Sequence, residues 1–263
     1  MDLQLQKKVA LVTGSTAGIG NAIATALARE GASVIVSGRT EESVDGAVAR
    51  MRADTRGEVT GFAGDLGVAA DAQALFVRHP WVDILVNNLG IFEVRAFTDI
   101  TDDDWQRFFN VNVLSGARLA RLYLPQMLER NWGRIIFISS ESAYHIPAEM
   151  IHYGMTKSAQ IAVARGLAEL TAGTAVTVNT VLPGPTRSRG VGEFVLEMAK
   201  ASGKTAATVE QEFFETARPT SLLKRFATTE EVASMVAYVA SPLSSATNGA
   251  ALRVDGGAIK TAF

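Results

Sequence analysis

The chain has 263 residues, 48% hydrophobic and 20% charged, with 25 Lys and Arg against 27 Asp and Glu, 23 Gly and no Cys. A chain this long can bury a sizeable core, and a net charge of -2 provides no global positive field for a polyphosphate backbone, so disorder is excluded and nucleic acid is an unexpected main partner. The absence of Cys removes disulfides, thiolate nucleophiles and Cys-ligated metal sites, and it suits a reducing cytoplasm. No secretory signal or membrane span is expected, because the apolar runs have only strand length.

In chain order, short β-branched runs alternate with segments of helical period. The pattern predicts a strand at Val9 to Thr13, a helix at Gly18 to Glu30, a strand at Ser33 to Ser37 and a helix at Glu41 to Ala53. A strand at Glu58 to Ala63, a helix at Ala69 to Arg78 and a strand at Val82 to Asn87 follow. Thr101 with Asp102, Asp103 and Asp104 reads as an N-cap and first turn, opening a long helix to Glu129 that is expected to bend near Pro125. Then come a strand at Arg134 to Ser139, a helix at His152 to Thr171, a strand at Ala175 to Leu182, a helix at Thr229 to Val239 and a strand at Ala250 to Val254. Seven apolar strands joined by helical crossovers imply a doubly wound, mainly parallel α/β sheet with helices on both faces. One domain is expected over residues 1–263. The stretch from Pro185 to Pro219 breaks the rhythm and is expected to form a substrate lid, with helices near Phe194 to Lys200 and Val209 to Thr216, loosened by Gly190, Gly192 and Gly203.

Thr13-Gly14-Ser15-Thr16-Ala17-Gly18-Ile19-Gly20 falls where the first strand ends and the first helix begins. Glycines there admit close approach of a phosphate to a helix N-terminus, at the carboxyl ends of the strands. Together with Asn87-Asn88-Leu89-Gly90, Ser140, Tyr153-x3-Lys157 and Pro183-Gly184, in this order and spacing, the turn resembles the short-chain dehydrogenase/reductase family from about Lys8 to Gly257. The resemblance implies a Rossmann-type sheet, a nicotinamide cofactor and hydride transfer to or from a carbonyl carbon. It also implies a homo-oligomer, a tetramer or dimer, built through the long helices and the region of Asp255, Gly256 and Gly257.

Such a reaction needs a group that gives a proton to the carbonyl oxygen or takes it back. Tyr153 and Lys157 stand four apart on one helix face, where a cation would draw the phenol's pKa down toward neutrality. By the resemblance, Lys157 also bonds the nicotinamide ribose and relays protons. Ser140 matches the family's catalytic Ser; strand alternation turns Ser139 to the other face, and Ser142 is the remaining competitor. Asn112, with Asn110 as its neighbour in type, matches the Asn that holds a water beside the Lys in related enzymes.

For the cofactor, Gly38 stands where an NAD-preferring member usually carries Asp, and Arg39 follows, so NADP(H) is favoured over NAD(H). Only one cation supports this, since Ala17 lacks the basic side chain of many NADP enzymes. The resemblance places Asp65 and Leu66 at the adenine, with Asn87, Asn88, Gly90, Pro183, Gly184, Thr186 and Ser188 along the cofactor. Leu89 replaces the usual Ala and is expected to narrow the site. Glu141, His145, Met150, Val191, Phe194 and Val195 are expected beside the substrate, while Arg187 and Arg189 meet either an acidic substrate or the cofactor phosphate, or else lie on a solvated surface. The expected function is an NADP(H)-dependent carbonyl reductase or alcohol dehydrogenase acting on a small molecule. The alternatives are an NAD-dependent secondary alcohol dehydrogenase and a non-catalytic dinucleotide sensor.

Overall fold

Strand alternation sorts the apolar residues into two cores, one on each side of a sheet. The computed structural model describes residues 2–55 and 57–262, with the side chains of residues 189, 193 and 194 outside the described set. Strands β1 (Val9–Val12), β2 (Ser33–Gly38), β3 (Val59–Ala63), β4 (Ile84–Asn87), β5 (Gly133–Ile138), β6 (Val176–Pro183) and β7 (Ala251–Val254) pair in parallel in the order β3-β2-β1-β4-β5-β6-β7. On one face Ala10, Val12, Val34, Val36, Ile84 and Val86 pack under Ile23 and Leu27 of α1 (Gly18–Arg29), Val44 and Met51 of α2 (Glu41–Asp54) and Val232 and Val236 near the C-terminus. On the other, Leu11, Ile35, Leu85, Ile135 and Phe137 meet Leu75 of α3 (Ala69–Arg78) and a second set of helices. The chain builds outward from β1 to β3 and then crosses back to β4, which opens a crevice at the carboxyl ends of β1 and β4.

Element boundaries follow the sequence expectation within a residue or two, apart from the long helix and the two helices of the expected lid, which start five and three residues earlier, at Arg189 and Ala206. The long helix is divided into α4 (Asp102–Phe109), a π-helical turn (Asn110–Leu114) and α5 (Ser115–Glu129). The irregularity therefore lies at Asn110–Leu114 and not at Pro125, which sits inside α5 while the helix continues past it. Partners drawn from elsewhere hold the turn open: Asn112 bonds backbone and side-chain groups outside its helix, and its carbonyl accepts from Gln160 at 2.7 Å. Thr101 caps α4 and forms a capping box with Asp104, as its sequence position implies.

Helix α6 (Ile151–Glu169) follows β5 and lies against β6. After β6 the chain forms α7 (Arg189–Ser202) and α8 (Ala206–Thr216), then returns through Phe226 to α9 (Thr229–Ala240). Val195, Ala199, Val209, Phe214 and Phe226 make a small separate core between these helices. Gly190 and Gly192 are helical positions in α7, so of the three lid glycines only Gly203 occupies a turn, closing α7 at φ +66°.

Candidate active site

The glycine turn is shaped by close backbone contacts. Gly14 has φ +60°, and a Cβ at Gly20 would fall 2.5 Å from the Gly14 carbonyl oxygen, so the first turn of α1 closes directly over the end of β1. Ala17, at the N-cap of α1, offers no side-chain acceptor, leaving the first-turn N–H groups of Gly18, Ile19 and Gly20 to an outside anion. The Ser15 hydroxyl is spent inside the turn, donating to Val12 O at 2.6 Å and accepting from Ser37 N at 3.0 Å, so only its backbone remains for a ligand. Asn88 fastens β4 to this turn through Nδ2 bonds to Thr13 O at 2.9 Å and Gly14 O at 3.1 Å. Asn87 is buried against Gly116 of α5, with neither amide atom paired.

A cavity of about 110 Å³ beside the turn is lined by Gly14, Thr16, Ser37, Gly38, Arg39, Gly64, Asp65, Leu66 and Leu89. Leu89 is among the residues that bound the pocket. Arg50, which the sequence reading passed over, reaches back from α2 to donate to Thr16 O at 3.4 Å and brings a second guanidinium to the pocket's edge. Asp65 caps its own turn by accepting from Gly67 N at 2.9 Å. From β6, Gly184 packs against Asp255 and the Thr186 hydroxyl turns back to Gly184 O at 2.9 Å, while Ser188 caps α7 and lies against Gly18. A larger cleft of about 620 Å³ between α1 and α9 meets this region at Gly18 and Ser188 but carries no proton-transferring side chain of the kind expected here.

The second half of the crevice lies beyond β5. Lys157 Nζ is 5.5 Å from the Tyr153 ring centroid and donates to Ile138 O at 2.9 Å and Gln160 Oε1 at 3.1 Å. Gln160 in turn donates to the Asn112 carbonyl, while the Asn112 side chain holds Ile91 on one side and Thr156 Oγ1, at 2.9 Å, on the other. Gly90 lies over the same pair, its ideal Cβ position 3.5 Å from Lys157 Nζ. Ser139 donates to the Lys157 carbonyl at 2.8 Å and faces away from the phenol. Ser140 donates to Glu141 Oε2 at 2.5 Å, and Ser142 also bonds that carboxylate. Burial pushes the Tyr153 phenol above its usual range, with Glu141 adding to the rise and the Ser140 hydroxyl and Arg218 opposing it. Burial also brings the Lys157 ammonium down to about 8. The expected lowering of the phenol by Lys157 is therefore absent in the polypeptide by itself, where desolvation outweighs every nearby charge.

The short chain dehydrogenase profile matches residues 8–198. The chain is 49% identical over 264 residues to an uncharacterized oxidoreductase of Bacillus subtilis, YvaG, covering all of both chains. The chain belongs to the short-chain dehydrogenase family. L-sorbose reductase from Gluconobacter frateurii, solved with NADPH and L-sorbose, superposes at a TM-score of 0.93 with 29% identity over 99% of this chain and all of its own. A 3-oxoacyl (acyl-carrier-protein) reductase from Agrobacterium tumefaciens with NADP bound superposes at 0.88, with 29% identity over 97% of this chain and 96% of its own. This short-chain dehydrogenase is an oxidoreductase of the NAD(P)-dependent dehydrogenase/reductase class.

Two expected substrate neighbours of this short-chain dehydrogenase pack into a core of their own. Val195 is buried in the core between α7 and α8, and Val191 packs against that core, because these helices bury an apolar face against each other. His145 is exposed, and the side chains of Phe194 and Arg189 lie outside the described set. Arg187 pairs with Glu210 and lies over Phe226, a contact within the loop that neither sequence alternative named. His152 is fully buried against Phe108 and Trp105 on the far side of Tyr153. Among the described residues no group of three or more His, Asp or Glu side chains could hold a metal. Gln160 escaped the sequence reading, although its place three residues after Lys157 on the same helix face was a usable signal.

Proposed function

We propose that the protein transfers hydride between NADP(H) and a carbonyl or secondary alcohol, with Tyr153 as general acid and base. The observation that carries this is the convergence of Ser140, Tyr153 and Lys157 beyond β5, in the same crevice as a glycine turn that presents uncapped N–H groups. The residues at the first half fit a dinucleotide. The turn admits close approach, the 110 Å³ cavity lies where an adenosine end would follow, and Asn88 holds strand and turn together. Gly14, Thr16, Gly18, Ile19 and Gly20 would hold the pyrophosphate and Asp65 and Leu66 the adenine. Bound there, a nicotinamide supplies or receives the hydride.

The NADP(H) preference rests on two cations at one edge of the cavity. Arg39 lines it, and Arg50 reaches the carbonyl of Thr16, one of its lining residues. No acid stands at Gly38 to repel a ribose phosphate. At the reacting end, the Tyr153 hydroxyl gives its proton to the substrate oxygen during reduction and recovers it in the reverse reaction. Ser140 steadies that oxygen by hydrogen bonding. Lys157, charged below about pH 8, provides the cation that favours phenolate when Tyr153 has given up its proton. A phenol held protonated at neutral pH favours carbonyl reduction there and alcohol oxidation at alkaline pH. Ketoses and 3-oxoacyl thioesters are the proposed substrate classes, from the reductases that this chain superposes on.

The test is a panel of ketoses, 3-oxoacyl thioesters and secondary alcohols assayed with NADPH and NADH. Tyr153→Phe should lower turnover at least about a thousandfold while NADPH affinity stays within about twofold. Retained turnover would remove Tyr153 from the mechanism.

A further inference from the structure

Hydride transfer with a Tyr acid does not by itself call for an ion pair beside the Ser, yet one is buried there. Arg218 Nε donates to Glu141 Oε1 at 3.1 Å, with the two side chains only 8% and 6% exposed. The other carboxylate oxygen accepts from the Ser140 hydroxyl at 2.5 Å and from Ser142 N at 3.0 Å. Arg218 also donates to Ala217 O at 2.8 Å and lies over the Phe213 ring, so it is anchored in the segment that closes the substrate loop after α8. Withdrawing two charges from water costs several kcal/mol per ion, and an apolar pair of similar size commonly serves stability as well or better. A stabilising role alone is a poor account of the pair, which points to the reacting groups it touches.

We propose, on the basis of the function given above, that Glu141 and Arg218 are positioning residues of the proton-transfer site: the carboxylate accepts a hydrogen bond from the Ser140 hydroxyl and presents negative charge to the Tyr153 phenol, and the guanidinium sets how much of that charge the phenol feels. Ser140 Oγ also accepts from Ser142 N at 3.1 Å, so the hydroxyl is held from two sides beside the phenol. An entering carbonyl then competes with Glu141 for the Ser140 hydroxyl as its oxygen gains charge. Arg218 comes from the end of the loop, so the loop's placement and the charge beside Tyr153 are linked.

The electrostatics follow this geometry. Glu141 raises the phenol's hold on its proton and Arg218 lowers it. Among the described residues, Lys157 on the same helix is a further charged group near the phenol, 5.5 Å from the ring centroid. From the chain after β4, Phe92 presents an uncharged ring edge. Glu93, Arg95, Asp104 and Arg107 cluster around His152, on the other side of α6.

The deciding experiment follows ionisation of the Tyr153 phenol by tyrosinate absorbance, with the Tyr153→Phe signal subtracted, and needs no substrate. Glu141→Gln should move the titration to lower pH by about one unit, and Arg218→Met should move it to higher pH. The alkaline limb of kcat/KM for reduction should move in the same two directions, and kcat of Glu141→Gln should fall about tenfold with KM changing less. The double variant Glu141→Met, Arg218→Met guards against misfolding from a lone buried charge. It should fold and bind NADPH, yet titrate below the wild type and lose about tenfold in kcat. Titrations that coincide with wild type in all three variants would overturn the proposal even if carbonyl reduction is confirmed. A wild-type enzyme inactive on the whole panel, with the titration shifts intact, would instead overturn the function while leaving the ion pair's effect on the phenol standing.

Discussion

At the ends of β1 to β3 the crevice is walled mainly by backbone. Gly14, Gly18 and Gly20 fold the turn, Asn88 pins it, and the α1 N–H groups face outward. Beyond β5 and β6 it is walled by side chains that meet across long stretches of sequence. Glu141 and Arg218 are 77 residues apart, and Gln160 and the Asn112 carbonyl are 48 apart. The first kind of site tolerates little variation in backbone shape and much in side chains. The second can be retuned one side chain at a time, which suits recognition of different substrates on one scaffold.

The contrast can be broken most forcefully at Gly20. A Cβ there meets the Gly14 carbonyl oxygen at 2.5 Å, which is backbone and has no easy retreat. Gly20→Ala should weaken NADPH binding at least about a hundredfold, roughly 3 kcal/mol, as read by quenching or transfer of NADPH fluorescence. Unchanged affinity would show that the turn yields more readily than its packing implies.

On the other side the comparable cut is at Gln160, which is 1% exposed and joins Lys157 to the Asn112 carbonyl. Gln160→Leu keeps the volume but removes both bonds, leaving a buried ammonium and a buried carbonyl short of a partner. The expected cost is about 1–3 kcal/mol of unfolding free energy in urea, with NADPH affinity nearly unaffected. A variant as stable as wild type would mean that water replaces the amide without loss.

This contrast also explains what was legible in the sequence. The glycine spacing, Tyr153-x3-Lys157 and the N-cap at Thr101 are local patterns, and local geometry enforces them. The seven strands were readable as short apolar or β-branched runs, most of them buried, although β3 and β7 are only partly so and carry Thr60 and Arg253. The π-helical turn was not, since its cause lies in partners on α6 and in the chain after β4 and not in residues 110–114 themselves. The rise of the Tyr153 phenol was missed for a related reason: spacing showed the cation four residues away, but not the depth of burial or the carboxylate from another segment.

Cofactor choice gives a smaller and sharper comparison, because it sets two cations at one cavity edge against each other. Arg39→Ala should weaken NADPH about tenfold, near 1.4 kcal/mol, and leave NADH within about twofold. Arg50→Ala should cost NADPH about threefold, since its reach to Thr16 O is long at 3.4 Å. Equal losses for both cofactors would detach these residues from the ribose phosphate.

The smallest effect is expected in the loop. Arg187 and Glu210 form an ion pair whose side chains are 53% and 19% exposed, and Glu210 also accepts from Phe226 N at 3.2 Å. Solvent screens such a pair, and beneath it Phe213, Phe214 and Phe226 already hold α8 and the returning chain together by ring contacts 5.1–5.2 Å apart. Arg187→Ala should therefore change global stability by no more than about 0.5 kcal/mol in urea titration and leave the rate of proteolytic nicking in the loop within about twofold. A much faster cleavage would show that the ion pair, rather than the aromatic cluster, fixes the loop. The substrate side of the crevice would then be governed by surface charge and would loosen with added salt.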